Sequence, residues 1–151
     1  TTGVGKVMLK IHHDWAPLGA ARFCELVETK FYDDVRFFRV LKNFMAQTGM
    51  NGDPEQSRYW RSQIIKDDPV LQSNSRGRVT FAMSGKNTRT TQIFFNTVNN
   101  KFLDNQGFAP FASVESGMEV IDALYGKYGE GGRGDGVDGR GPSQGRINQE
   151  G

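Results

Sequence analysis

The sequence lacks most of the features that mark disulfide-rich, membrane-spanning or nucleic-acid-binding proteins. Its 151 residues include one cysteine, Cys24, so no disulfide can form within the chain. Cys24 lies among apolar residues, which predicts a buried and unreactive thiol. No apolar run approaches the roughly 20 residues of a membrane-spanning helix. The net charge is +2, from 19 basic and 17 acidic residues, which gives no electrostatic reason to expect contact with nucleic acid or a membrane. With 36% hydrophobic and 24% charged residues, we expect a soluble domain, and we expect it to be a monomer. Because the chain begins at Thr1, a targeting segment could have been removed, so the sequence leaves both the cytoplasm and the secretory pathway open as its compartment.

The usual signatures of hydrolases and metal enzymes are also missing. There are two histidines, His12 and His13, at the end of a predicted surface strand. They could form a metal pair, but solvated polar side chains are the better interpretation because no cysteine or suitably spaced carboxylate lies near them. No serine occupies a nucleophile elbow, and no glycine-rich phosphate loop follows a strand. Asp67 and Asp68 could be a carboxylate pair, but a turn or cap role before Pro69 is the better interpretation. These absences predict that the chain is not a hydrolase.

Periodicity predicts several short strands and two helices within a single domain, residues 1–151. Alternation over residues 6–12 predicts a strand, and residues 18–29 predict a helix whose apolar stripe contains Phe23, Leu26 and Val27 and continues to Phe31. Residues 117–125 predict a second helix. Further strands are expected at 36–41, 44–48, 78–84, 93–98 and 111–114, whereas residues 51–68 are predicted to be irregular. The glycine-rich segment 126–151 is expected to be a surface loop or tail. This pattern favours an antiparallel β-barrel or sandwich capped by helices.

One arginine stands out because aromatic residues surround it. Arg39 lies on a predicted strand beside Phe37, Phe38 and Phe44, and the amide of Gln47 follows on the next strand. A guanidinium is costly to bury without a partner or a function. From these residues alone, a structural ion pair and a functional site remain equally open.

The order of the segments resolves this ambiguity. Residues 37–49, FFRVLKNFMAQTG, closely resemble the signature of the cyclophilin family of peptidyl-prolyl isomerases. Residues 80–94, TFAMSGKNTRTTQIF, resemble the second segment of that family, and Phe102-Leu103-Asp104 with Phe111 resembles the third. Gly117-Met118 matches its glycine-methionine pair, so the resemblance extends from about residue 5 to residue 125.

The resemblance implies a mainly β fold: a closed eight-stranded antiparallel β-barrel capped by two α-helices, with the active groove on the outer face of the sheet. By motif position, Arg39 is the catalytic arginine and Gln47 the catalytic amide beside it. The substrate-binding residues implied are Phe44, Met45, Ala82, Gln92, Phe94, Phe102, Leu103 and Phe108. The expected activity is rotation about X-Pro bonds in proline-containing peptides or unfolded chains, without metal or cofactor.

The chain departs from the family pattern at several positions. Phe38 replaces a frequent histidine, and Phe102 replaces a frequent tryptophan whose indole supports cyclosporin binding, so we expect weakened cyclosporin affinity. The pocket histidine is missing, and Phe108 is expected to fill its space. The strand that would close the barrel is reduced to residues 145–148. Two alternatives are a proline-peptide docking module with little turnover and, less favoured, a barrel that carries a small ligand.

Overall fold

The structure, a computed structural model, describes residues 5–124, and the predicted loop or tail at 126–151 lies outside them. The described chain has six β-strands, three α-helices and one 3-10 helix. In chain order they are β1 (Met8–Ile11), α1 (Pro17–Glu28), β2 (Arg39–Leu41), β3 (Met45–Thr48), α2 (Pro54–Arg61), β4 (Arg78–Phe81), β5 (Ile93–Asn96), the 3-10 helix (Lys101–Gln106), β6 (Pro110–Ser116) and α3 (Met118–Asp122). None of these helices has the length and apolar character needed to cross a bilayer.

The six strands form one antiparallel sheet in the order β1-β6-β4-β5-β3-β2. A mainly β, antiparallel fold was predicted and is confirmed. The closed eight-stranded barrel is not confirmed, because the part of the sheet within residues 5–124 has six strands and β1 and β2 are its unpaired edges. Closure depends on pairings between segments distant in sequence, and local periodicity contains no information about them.

The main hydrophobic core lies on one face of this sheet. Alternate residues of β3, β4 and β5, among them Ala46, Val79, Phe81, Ile93 and Phe95, point into it and are almost fully buried. Side chains between these positions, such as Met45 and Phe94, point to the opposite face and pack into a separate apolar cluster with Leu103. The period of two thus divides the strands between a core and a second surface.

Helix α1 packs on the core face, and its N-terminus is held by a distant carboxylate. The backbone amides of Leu18 and Gly19 donate to Asp68 Oδ1 and Oδ2, at 3.1 and 2.9 Å. The same carboxylate forms a buried ion pair with Arg89 at 3.2 Å. Asp68 therefore has a capping role, but at a helix distant in sequence and not in the local turn before Pro69 that the sequence predicted. The predicted stripe was wrong at Val27, which is half exposed.

The segment predicted to be irregular, residues 51–68, contains helix α2. Asp53 caps it by accepting from the amide of Glu55 at 3.0 Å, and Pro54 occupies its first turn. Trp60 is buried against Phe31, with ring centroids 6.1 Å apart. The acidic cap followed by proline is a helix-start signal that the apolar periodicity of so short a helix could not reinforce.

Candidate functional site

A groove of about 430 Å³ runs across the face of the sheet opposite the core. At one end lies a pocket of apolar side chains from β3, β5 and the 3-10 helix region, here called the apolar pocket: Phe44, Met45, Phe94, Leu103 and Phe108. Phe94 and Phe108 meet edge to face, with centroids 5.7 Å apart. Phe108 thus lines the pocket, as expected of the residue in place of the missing histidine. An apolar pocket of this kind suits a compact ring such as that of proline.

The polar side chains that the sequence singled out meet beside this pocket. Arg39 and Gln47 are paired residues on β2 and β3, so their side chains lie on the same face of the sheet. Arg39 Nη1 donates to Gln47 Oε1 at 3.4 Å, and Gln47 Nε2 donates to Gln92 Oε1 at 2.8 Å. Because Gln47 both accepts and donates, this chain of contacts orients it and directs its oxygen toward the guanidinium.

Nine of the ten predicted site residues line the groove, including Ala82 on the loop after β4. Phe102 is the exception. Its side chain is 55% exposed and lies at the rim, with its ring centroid 5.9 Å from that of Phe44. The ring extends the apolar surface outward but carries no hydrogen-bond donor.

A cluster of buried polar side chains supports the apolar pocket from behind, here called the amide cluster: Asn74, Thr80, Asn96, Asn100 and Asp104. Asn74 Nδ2 donates to Asp104 Oδ1 at 2.8 Å and to the Phe108 carbonyl at 2.9 Å, while its Oδ1 accepts from Thr80 Oγ1 at 2.7 Å. Asn100 Nδ2 donates to the carbonyl of Phe44 at 2.9 Å and to Asn96 Oδ1 at 2.9 Å.

The amide cluster therefore fixes two backbone segments that carry pocket residues. Its carboxylate, Asp104, is partly buried, and burial by itself would raise its pKa. Hydrogen bonds from Ser73 and from the side chain and backbone of Asn74 outweigh that effect, and the pKa of Asp104 is lowered. Sequence reasoning missed this cluster, because its asparagines are dispersed over residues 74–100.

The groove wall that carries Gln92 depends on a close backbone approach at Gly49. This glycine has a φ of +110°, and a Cβ there would collide with the Thr91 carbonyl and lie 2.8 Å from the Gln92 Cα. The phenol of Tyr32 donates to the same Thr91 carbonyl at 2.8 Å. Burial raises the pKa of Tyr32, so the phenol remains a donor at physiological pH.

Beyond the polar side chains, the groove continues into a compartment here called the groove extension. It lies between α2 with the residues after it and the segment 83–91, and Trp60, Arg61, Ile64, Thr88 and Thr90 are among its lining residues. These residues were not predicted, because the segment that supplies α2 was interpreted as irregular. The cap signal at Asp53 could have revealed the helix, but its position beside the groove is a tertiary property.

Other residues that the sequence analysis considered lie outside the groove. His12 stacks on Trp15, with centroids 3.6 Å apart, and contacts Ser113 Oγ at 2.9 Å. Cys24 is only partly buried, so the prediction of a buried thiol was wrong. Phe38 is buried against Met50, consistent with a role in packing. Within residues 5–124, no group of three or more histidine, cysteine or acidic residues could hold a metal ion.

Comparison with known proteins agrees with this geometry. The family model for cyclophilin-type peptidyl-prolyl cis-trans isomerases matches residues 1–138. A peptidyl-prolyl cis-trans isomerase of Acinetobacter baylyi is 30% identical over 128 residues, which cover 82% of this chain and 68% of that protein. Peptidyl-prolyl cis-trans isomerase A of Dickeya dadantii is 31% identical over 129 residues, with the same coverage of 82% and 68%.

The fold is also similar to that of solved structures of cyclophilin-type isomerases. A cyclophilin-type isomerase of Cryptosporidium parvum, crystallised in the presence of the dipeptide Ala-Pro, superposes with a TM-score of 0.67 at 21% identity, covering 81% of this chain and 80% of that one. A second crystal structure of this Cryptosporidium protein gives a TM-score of 0.68. With the family model spanning most of the sequence, the chain belongs to the cyclophilin-type peptidyl-prolyl cis-trans isomerase family.

Proposed function

We propose that the groove isomerises X-Pro peptide bonds, with the proline ring in the apolar pocket and Arg39 as the catalytic residue. The observation that carries the proposal is the juxtaposition of Arg39 and Gln47 with Phe44, Met45 and Phe94 in one groove. Apolar side chains would hold the ring, while the guanidinium would donate toward the peptide. Gln47 would keep the guanidinium in place or hold the peptide backbone.

The mechanism follows from the electronic structure of the amide. Rotation about the peptide bond is opposed by a barrier of about 18–20 kcal/mol, because the nitrogen lone pair is delocalised into the carbonyl. A donor aimed at the prolyl nitrogen stabilises the lone pair that localises there as the bond twists, and so it favours the transition state over both planar isomers. Arg39 is suited to this role because its guanidinium stays charged and presents rigidly oriented donors.

The proposed partners are proline-containing peptides and unfolded chains. The Cryptosporidium relative crystallised in the presence of Ala-Pro supports this substrate class. The alternative of a docking module with little turnover is not favoured, because docking requires the apolar pocket but not Arg39 beside it. Phe102, which lacks an indole donor, supports the proposal that cyclosporin binds weakly.

We further propose that the sheet closes into the eight-stranded barrel typical of the family. The core beneath β3, β4 and β5 supports this, since a closed sheet encloses such a core and leaves no edges. Amide hydrogen exchange tests it. In a closed barrel the outward-facing amides of Met8–Ile11 and Arg39–Leu41 are protected, whereas in an open sheet they exchange rapidly.

The test of the activity is cis-trans exchange of an Ala-Pro-containing peptide, followed by NMR, with wild type and Arg39→Ala. Loss of one well-placed electrostatic donor should cost on the order of a hundredfold in the catalysed rate, or about 3 kcal/mol. Arg36→Ala is the matched control, because Arg36 is an exposed arginine that does not line the groove. Peptide binding without catalysed exchange by the wild type would instead support the docking module.

A further inference from the structure

The groove is longer than the apolar pocket requires. An apolar pocket that holds one proline ring leaves the groove extension available for another residue of the same peptide. The floor of the extension includes the buried rings of Phe31 and Trp60, and the exposed side chain of Ile64 lies at its edge. An extended peptide places a residue every 3.3 Å or so, so a near neighbour of the proline can reach a second compartment.

The charges that line the groove have one sign. Among the described residues that line it, Arg39 and Arg61 are charged, and no aspartate or glutamate is present. The groove is therefore electropositive by composition, although the chain as a whole has a net charge of only +2. Clefts lined by one sign of charge favour ligands of the opposite sign.

Arg61 is available for such a ligand. It is the last residue of α2 and exposed, and it forms no ion pair or side-chain hydrogen bond within residues 5–124. Its helix is firmly docked, because the neighbouring Trp60 ring is buried and the Arg22 guanidinium lies 5.2 Å from that ring. The segment that follows is tied across the extension by the hydrogen bond from the Ile65 amide to the Arg89 carbonyl, at 3.0 Å.

We propose that the groove extension binds an acidic side chain, aspartate or glutamate, located near the proline of the substrate, with Arg61 as the specificity-determining residue. The methylenes of a glutamate would pack on Ile64 and Trp60, while its carboxylate pairs with the guanidinium. Thr90, another residue that carries a hydroxyl group, lines the opposite wall. This inference rests on the proposed function of the same groove and adds the substrate class to it.

The test compares peptides in which glutamate, glutamine or lysine occupies, in turn, each of the three positions on either side of an Ala-Pro core. NMR exchange gives kcat/KM for wild type, Arg61→Gln and Arg58→Gln. Arg58 is the matched control, because it is an exposed arginine on the same helix that does not line the groove. At one position we expect wild type to prefer glutamate over glutamine by about two- to fivefold, as for a partly screened ion pair.

The preference should disappear in Arg61→Gln, persist in Arg58→Gln and weaken in 0.5 M NaCl because the pair is screened. Rates on the glutamine peptides should be the same in wild type and Arg58→Gln, and for Arg61→Gln the quantity compared is the ratio of the rates on the glutamate and glutamine peptides. Equal use of glutamate and glutamine by wild type at every position overturns the inference, and so does equal loss of the preference in both variants. If no peptide is isomerised, the proposed isomerase function is wrong, but the groove extension can still be tested by binding. In that case, tighter NMR dissociation constants for the glutamate peptide than for the glutamine peptide support the inference, and equal constants overturn it.

Discussion

The amide cluster behind the apolar pocket predicts a large stability loss from a small substitution, Asn74→Ala. The Asn74 side chain is fully buried and makes four hydrogen bonds, to Asp104, Phe108, Thr80 and Asn96. After truncation, the Thr80 hydroxyl loses its acceptor and the Phe108 carbonyl loses its donor. Each buried polar group left without a partner costs about 1–3 kcal/mol, so the free energy of unfolding should fall by about 3–5 kcal/mol.

Urea-induced unfolding followed by tryptophan fluorescence measures this loss, with the slope of the transition compared between proteins. Asn99→Ala is the matched control, since Asn99 is exposed and accepts one hydrogen bond, from the amide of Arg76 at 2.9 Å. We expect the control to lose less than about 1 kcal/mol. Thr80→Val keeps the shape of a buried residue and removes one hydroxyl, so its loss should be intermediate. Similar losses for Asn74→Ala and Asn99→Ala would refute the reasoning that the amide cluster supports the pocket.

Three further predictions follow from single contacts. The pKa of Asp104 is lowered in the folded protein, so its ionised form stabilises the fold at any pH above the unfolded pKa of about 3.9. This contribution is lost as the pH falls through the still lower folded pKa. The difference in the free energy of unfolding between wild type and Asp104→Asn should therefore shrink between pH 7 and pH 3. Phe102→Trp should strengthen cyclosporin binding in a calorimetric titration because it supplies an indole donor at the groove rim, and tight stoichiometric binding by wild type would contradict this. Gly49→Ala should lower both stability and kcat/KM, because a Cβ would displace Thr91 and Gln92; unchanged kinetics would show that the approach is not required.

Much of the site could be predicted from the sequence because its residues occur in short, ordered segments. Arg39 and Gln47 are separated by one turn between two strands, so a local motif already places them on neighbouring strands, and the structure pairs them in register. Alternation along β3 and β5 separates core residues such as Phe95 from pocket residues such as Phe94 without knowledge of the whole fold. For these features, local periodicity and motif order carried the information.

Other features were decided only by the tertiary structure. The cap of α1 by Asp68, the amide cluster around Asn74 and the position of Arg61 at the groove extension each join segments that are far apart in sequence. Whether the edge strands β1 and β2 pair with further strands is likewise set by the tertiary structure. Sequence by itself determined the approximate positions of the strands, the family, and the polar and apolar residues that meet in the groove. The contacts that support and extend that groove arise from packing between distant segments, which no local pattern encodes.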